Sequence, residues 1–145
     1  MILISHRGNV DGKNPELENS PDYILRAVEL GYDVEVDVWS VNGQLYLGHD
    51  SPDYLVDFKW FFDRSHKLWI HCKNIESVEI FTITKNDLNY FWHQEDKITL
   101  TSKKYIWVYP GNQPIKNSIA VLPEMFNDDV EGCLGVCSDL IKNYK

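Results

Sequence analysis

Apolar positions along this chain fall into short blocks with two different spacings. Ile2-Leu3-Ile4, Val34 to Val38, Leu45-Tyr46-Leu47, Leu68 to Lys73, Leu88 to Gln94, Tyr105 to Tyr109, Ile119 to Leu122 and Leu134 to Cys137 have strand length. In the second block the two-residue period puts Val34, Val36 and Val38 on one face and Glu35, Asp37 and Trp39 on the other. Asn42-Gly43 then predicts a tight turn that returns the chain through Leu45-Tyr46-Leu47 to His49. Helical spacing lies between the strands. Ser20-Pro21-Asp22-Tyr23 supplies an N-cap, a proline at the first helical position and an acid in the first turn. Tyr23, Ala27 and Leu30 then share a face, and Gly31 ends the helix. The same four letters recur as Ser51-Pro52-Asp53-Tyr54 before Leu55, Phe58 and Phe62, which predicts a second helix capped in the same way. Strands alternating with helices are the signature of βα units. The later connections are mostly too short for full helices, so the array thins towards residue 145.

The chain has 145 residues, 43% hydrophobic and 13% aromatic, which suits one domain with one core. A net charge of -8, with Lys and Arg scattered singly or in pairs, gives no footprint for nucleic acid. An anionic substrate therefore needs local positive charge or a bound cation. Cys72, Cys133 and Cys137 fit neither a disulfide framework nor a four-ligand zinc pattern and read as buried thiols in a reducing compartment. Met1 runs directly into an apolar strand, without a basic region or long apolar segment, so the expectation is a cytoplasmic protein with no membrane span.

The chemistry concentrates between Ile4 and Asp50. Two carboxylates at i and i+2 on one strand face, about 6 to 7 Å apart, repel by about 2 to 3 kcal/mol at an effective dielectric near 20. A divalent cation removes that repulsion, and oxygen ligands suit Mg²⁺ or Ca²⁺. The competing reading is an edge strand with its acids in water. The valine alternation favours burial instead, as do His6 and His49 at neighbouring strand ends. A histidine pair suits ester chemistry at phosphorus, because one imidazole takes a proton from the attacking oxygen while the other protonates the leaving alkoxide. Arg7 beside His6 offers a planar fork for phosphate oxygens, with an exposed salt bridge as its ordinary role. Gly8 and Gly48 permit close backbone approach next to each histidine. His66 in a polar loop and His93 at a strand end read as framework residues. Trp39, Trp107 and Tyr109 either line a mouth that contacts a sugar, glycerol or lipid group or belong to the core.

Taken in order, His6-Arg7-Gly8, Glu18-Asn19-Ser20, Glu35-x-Asp37 and Gly48-His49-Asp50 resemble the glycerophosphodiester phosphodiesterase family. The match spans about the first third of the chain. It continues more weakly in His71-x-Lys73, where the family has Glu-x-Lys, and in Val136-Cys137-Ser138-Asp139, which is similar to a final strand that usually reads Thr-Asp. The resemblance implies an α/β fold, a minimal TIM-type (β/α) barrel with some outer helices shortened or missing and a site at the C-terminal strand ends. It also implies roles. His6 and His49 would be the acid–base pair, Arg7 and Lys73 the phosphate contacts, Trp107 a substrate contact, and Glu35 and Asp37 metal ligands. The third acidic ligand is replaced by His71, or Glu124 substitutes for it. Mg²⁺ or Ca²⁺ is the expected ion, with Mn²⁺, Fe²⁺ or Zn²⁺ favoured if His71 ligates. The insertion that covers the family's site after Gly-His-Asp is absent, so the site should be open on that side. The implied activity is metal-dependent cleavage of a small-molecule or lipid-derived phosphodiester, by hydrolysis or by cyclic phosphate formation. The alternatives are a barrel that binds a phosphorylated ligand without turnover and a structural protein on an inherited scaffold.

Overall fold

In the computed structural model, which describes all 145 residues, the strand carrying Val34, Val36 and Val38 is flanked on both sides and its three valines are fully buried. In chain order the elements are β1 (Ile2–His6), α1 (Pro21–Glu29), β2 (Asp33–Val41), β3 (Gln44–Leu47), β4 (Tyr54–Val56), α2 (Phe58–Phe62), β5 (Leu68–Cys72) and α3 (Ile75–Ile83). They continue with β6 (Asn89–Trp92), β7 (Ile98–Leu100), β8 (Ile106–Val108), β9 (Ser118–Val121) and β10 (Gly135–Ser138). Seven strands run parallel in the order β6-β5-β2-β1-β10-β9-β8. β3 and β4 add an antiparallel extension to β2, and β7 pairs antiparallel with β8.

This is a mixed sheet curled into a half-barrel, which corrects the expectation of a TIM-type barrel. A TIM barrel alternates eight strands with eight helices in a closed ladder. Here there are three α-helices, of 9, 5 and 9 residues, and β6 has β5 as its sole ladder partner. The connection from β9 to β10 carries Pro, Asn, Asp and Gly and forms one short 3₁₀ turn at Pro123–Met125 where a barrel helix would stand.

The helices back β2 and its neighbours on the convex face. Ile24 and Ala27 of α1, Phe61 of α2 and Phe81 of α3 join the three valines, Leu45, Leu47, Leu68 and Ile70 in the larger core cluster. Full burial of a side chain such as Val or Leu contributes about 1.5 to 3 kcal/mol. The buried stripe of α1 is Ile24 and Ala27, while Leu30 is exposed, so the expected Tyr23-Ala27-Leu30 face is corrected by one step around the helix. Ser51-Pro52-Asp53 starts no helix. Tyr54, Leu55 and Val56 instead pair with Leu47, Tyr46 and Leu45, and the following helix is capped by Asp57, whose carboxylate accepts from Trp60 N–H at 2.9 Å. Asn42 and Gly43 both take positive φ, as a tight hairpin turn requires.

On the concave face Ile4, Trp69, Phe91, Trp107, Ile119, Val121 and Cys137 form a second apolar cluster. By the two-residue period, His6, His71, His93, Tyr109 and Asp139 follow Ile4, Trp69, Phe91, Trp107 and Cys137 on the same face, one step nearer the C-terminal strand ends. The apolar cluster thus forms a floor, and the chemistry stands above it. The β3–β4 connection places His49 at the same end of the sheet. Gly48 makes that connection possible: φ is +151°, and a Cβ there would collide with the Ser51 carbonyl oxygen. Gly48→Ala should destabilise the fold by about 1 to 3 kcal/mol, read as a lower urea midpoint with an unchanged slope.

Candidate active site

β1 delivers His6 to the end of the sheet, and the backbone then turns through Arg7 and Gly8, both at positive φ. His6 Nδ1 is 2.7 Å from Asp139 Oδ1, at the end of the adjacent β10. A carboxylate can only accept, so Nδ1 carries the hydrogen, and His6 Nε2 is left 3.9 Å from Glu35 Oε2. Asn9 Nδ2 donates to the same Asp139 oxygen at 2.8 Å and to Glu18 Oε1 at 2.9 Å. Burial works to raise the Asp139 pKa, but the bond and charge of His6 outweigh it and hold the carboxyl below its ordinary value.

Glu35 and Asp37 are both buried on the concave face of β2. Asn19 clamps Asp37 twice, its amide donating to Oδ2 at 2.9 Å and its Oδ1 accepting from the Asp37 backbone N–H at 2.9 Å. Arg7 Nε is 2.9 Å from Asp37 Oδ2, and Lys73 Nζ is 3.7 Å from Oδ1. His71 Nδ1 is 3.1 Å from Asp37 Oδ1 and 3.7 Å from Glu35 Oε1. The contacts of Arg7 and His71 with Asp37 are off line for hydrogen bonds and those of 3.7 Å or more are too long, so Asp37 Oδ1 and Glu35 Oε2 are buried oxygens that accept none. Burial disfavours charge on both Asp37 and His71. Contact with His71, Arg7 and Lys73 nevertheless drives Asp37 well below the ordinary carboxylate range, and the two acids raise His71 to about 9.

One ligand atom each from Glu35, Asp37 and His71 lie within 4.8 Å of one another. Such a set, with orphaned buried oxygens and an imidazole, fits a divalent cation. Glu124, the other candidate for the third ligand, is engaged elsewhere: Oε1 accepts from Ser138 Oγ at 2.7 Å, and it is not part of this cluster.

A cleft of about 740 Å³ opens above these groups, lined by His6, Arg7, Glu35, His49, His71, Lys73 and Trp107, with Asp37 buried beneath. The structure therefore gathers all the candidate site residues at one place, with different access. His49 is partly exposed and its Nδ1 is 2.7 Å from Asp50. Arg7 is less free than a phosphate fork would be, because Nη1 is also 3.3 Å from Glu18 and only Nη2 has no acidic partner. Trp107 is 3% exposed and packs on Phe91 at 4.7 Å, so it serves chiefly as floor. Tyr109, 45% exposed, is the accessible aromatic on that wall. Trp39 lies outside the lining and donates its indole N–H to the Gly48 carbonyl. Sequence reasoning does not pair Asp139 with His6, assigns nothing to Asn9, and reads His93 as a framework residue, whereas His93 lines the cleft. The step of two from Phe91 was the available signal for His93, and nothing local marked Asn9.

Comparison with known proteins finds no matching family model, no matching curated protein and no matching solved structure. No helix is long and apolar enough to cross a membrane. The Cys72 and Cys137 thiols are buried and pushed up by that burial, Cys72 to about 12.

Asp139 gives this site a pH signature. Its folded pKa lies below the unfolded value, so its contribution to stability is present above about pH 4 and is lost as pH falls through the depressed value. Asp139→Asn should cost about 1 kcal/mol at pH 7. It should also flatten the acid limb of a plot of unfolding free energy against pH.

Proposed function

We propose that this cleft is the active site of a divalent-metal-dependent phosphodiesterase acting on a small-molecule or lipid-derived diester. One observation carries the reading: buried carboxylates with unpartnered oxygens, a carboxylate-held histidine and two cationic side chains gather at and just beneath a single cleft. A divalent ion held by Glu35, Asp37 and His71 would supply positive charge against the developing negative charge on a phosphate oxygen. The remaining steps belong to the chain. His6, oriented through Nδ1 by Asp139, accepts at Nε2 a proton from water or from the substrate's own neighbouring hydroxyl. Asp139 then stabilises the imidazolium formed. His49, held by Asp50 at the open side, protonates the departing alcohol. Lys73 and the free Nη2 of Arg7 bind the phosphate.

The apolar part of the lining sets the shape of the substrate. Val121, Leu122, Met125 and Phe126 also line the cleft, with Met125 and Phe126 more than half exposed. This suits a diester with a bulky, partly apolar alcohol. Hydrolysis and internal transfer to a cyclic phosphate use the same groups. The proposed setting is the reducing cytoplasm, which the three free cysteines support.

The test is a screen of chromogenic and glycerol-based diesters against Mg²⁺, Ca²⁺, Mn²⁺ and Zn²⁺. Turnover should fall at least about a hundredfold in both His6→Ala and Glu35→Ala. Undiminished turnover in both variants removes the mechanism. Binding of a phosphorylated ligand without turnover of any diester makes the protein a ligand-binding module instead.

A further inference from the structure

The third position of the carboxylate cluster is a histidine, and its surroundings decide which of its nitrogens meets the acids. His71 Nε2 lies 3.1 Å from the carbonyl oxygen of His93. A carbonyl only accepts, so Nε2 carries a hydrogen there, and a cation that displaces the proton held between Nδ1 and the two acids meets the lone pair of Nδ1. Nδ1 is the atom beside Asp37 Oδ1 and Glu35 Oε1. The ring is held in this pose by stacking on Phe91, with centroids 5.2 Å apart and planes 10° from parallel. An imidazole that donates one N–H to a backbone carbonyl and presents the other nitrogen to a carboxylate cluster is arranged as metal-binding histidines are.

The spacing agrees. Donors about 2.1 Å from a small divalent ion stand about 3.0 to 3.4 Å from one another at bond angles of about 90 to 110°. His71 Nδ1 is 3.1 and 3.7 Å from the two carboxylates. Charge and donor type then discriminate between ions. Arg7 and Lys73 already offset part of the Asp37 charge, and the cluster offers two carboxylates where Ca²⁺ takes six to eight oxygens. A neutral nitrogen donor strengthens binding of first-row transition ions far more than of Mg²⁺ or Ca²⁺.

We infer that Glu35, Asp37 and His71 form a mixed nitrogen–oxygen site selective for a first-row dication of the Mn²⁺, Fe²⁺ or Zn²⁺ class over Mg²⁺ and Ca²⁺. This rests on the metal-dependent reading above and sharpens it. His71 is the selectivity residue.

Mn²⁺ is the probe. The full chain, stripped with a chelator and dialysed, is titrated with Mn²⁺ while the free-ion electron paramagnetic resonance signal is followed, with Mg²⁺ and Ca²⁺ as competitors. One equivalent should bind, at least tenfold tighter than either competitor. Pulsed spectra should show coupling to a directly bound imidazole nitrogen. His71→Glu should still bind Mn²⁺, lose that coupling and shift at least tenfold towards Mg²⁺ or Ca²⁺. If that variant fails to fold by circular dichroism, loss of the coupling in His71→Gln decides the same point. Absence of stoichiometric binding, nitrogen coupling missing from the wild type or persisting without His71, or unchanged selectivity in His71→Glu overturns the inference. Nitrogen-coupled Mn²⁺ without diester turnover leaves this inference standing and removes the phosphodiesterase. Turnover with equal preference for Ca²⁺ and no coupling does the reverse.

Discussion

Two carboxylates buried on the concave face of β2 are the constraint around which the site is organised. Glu35 and Asp37 lie between β1 and β5, nearly out of contact with water. Buried charge is tolerated only where partners replace the lost hydration. Those partners come from separate parts of the chain: Arg7 from the turn after β1, Asn19 from the segment before α1, His71 from β5 and Lys73 just beyond it. No local segment could satisfy Asp37 alone. The curl of the sheet brings these strand ends close enough to do so. Partners still fall short of the lone pairs available, because a buried oxygen of each acid accepts no hydrogen bond, and the cluster could hold a cation.

The uneven distribution of helices follows from the same constraint. All three α-helices contribute to the core cluster that backs β2 and β5, the strands that carry the acids and His71. Firm packing there fixes the charged groups and keeps their surroundings apolar, which strengthens every ionic contact among them. The strands β8, β9 and β10 carry a less demanding load, chiefly the apolar floor and Asp139. Behind them stand loops and short 3₁₀ turns, with Ile141 packed against Val136 and Tyr32. A half-barrel suffices because the groups gathered around the acids come from β1, β2, β5 and β10 and the turns that follow them.

What the sequence revealed follows from how local each cause is. The valine alternation of β2 depends on strand period alone, and it correctly separated the helix-packed face from the acidic one. The concave position of His71 and Lys73 follows from the same period. Ser51-Pro52-Asp53-Tyr54 shows the opposite case: its capping letters equal those before α1, but Leu45 to Leu47 supply a strand partner that the earlier segment lacks, and pairing wins. Barrel closure depends on whether β6 finds a partner across the gap, which no residue pattern in Asn89–Trp92 states. The His6–Asp139 contact spans 133 positions, so Ser138-Asp139 could be noticed as a motif without revealing which histidine it serves.

Arg7 shows most clearly how the two ends of the site are joined. Its Nε contacts Asp37 in the carboxylate cluster, and its Nη1 contacts Glu18, which holds Asn9 and through it Asp139 and His6. The residue sits at φ +55°, a conformation that costs a non-glycine side chain about 1 to 3 kcal/mol and persists only where the surroundings over-determine it. Two acidic partners on different elements, together with the Arg7 backbone N–H donating to the Glu35 carbonyl at 3.0 Å, supply that over-determination. Strain at Arg7 is thus the cost of a link between the carboxylate cluster and the His6–Asp139 pair. Arg7 ties Asp37 to the hydrogen-bonded group of Glu18, Asn9, Asp139 and His6.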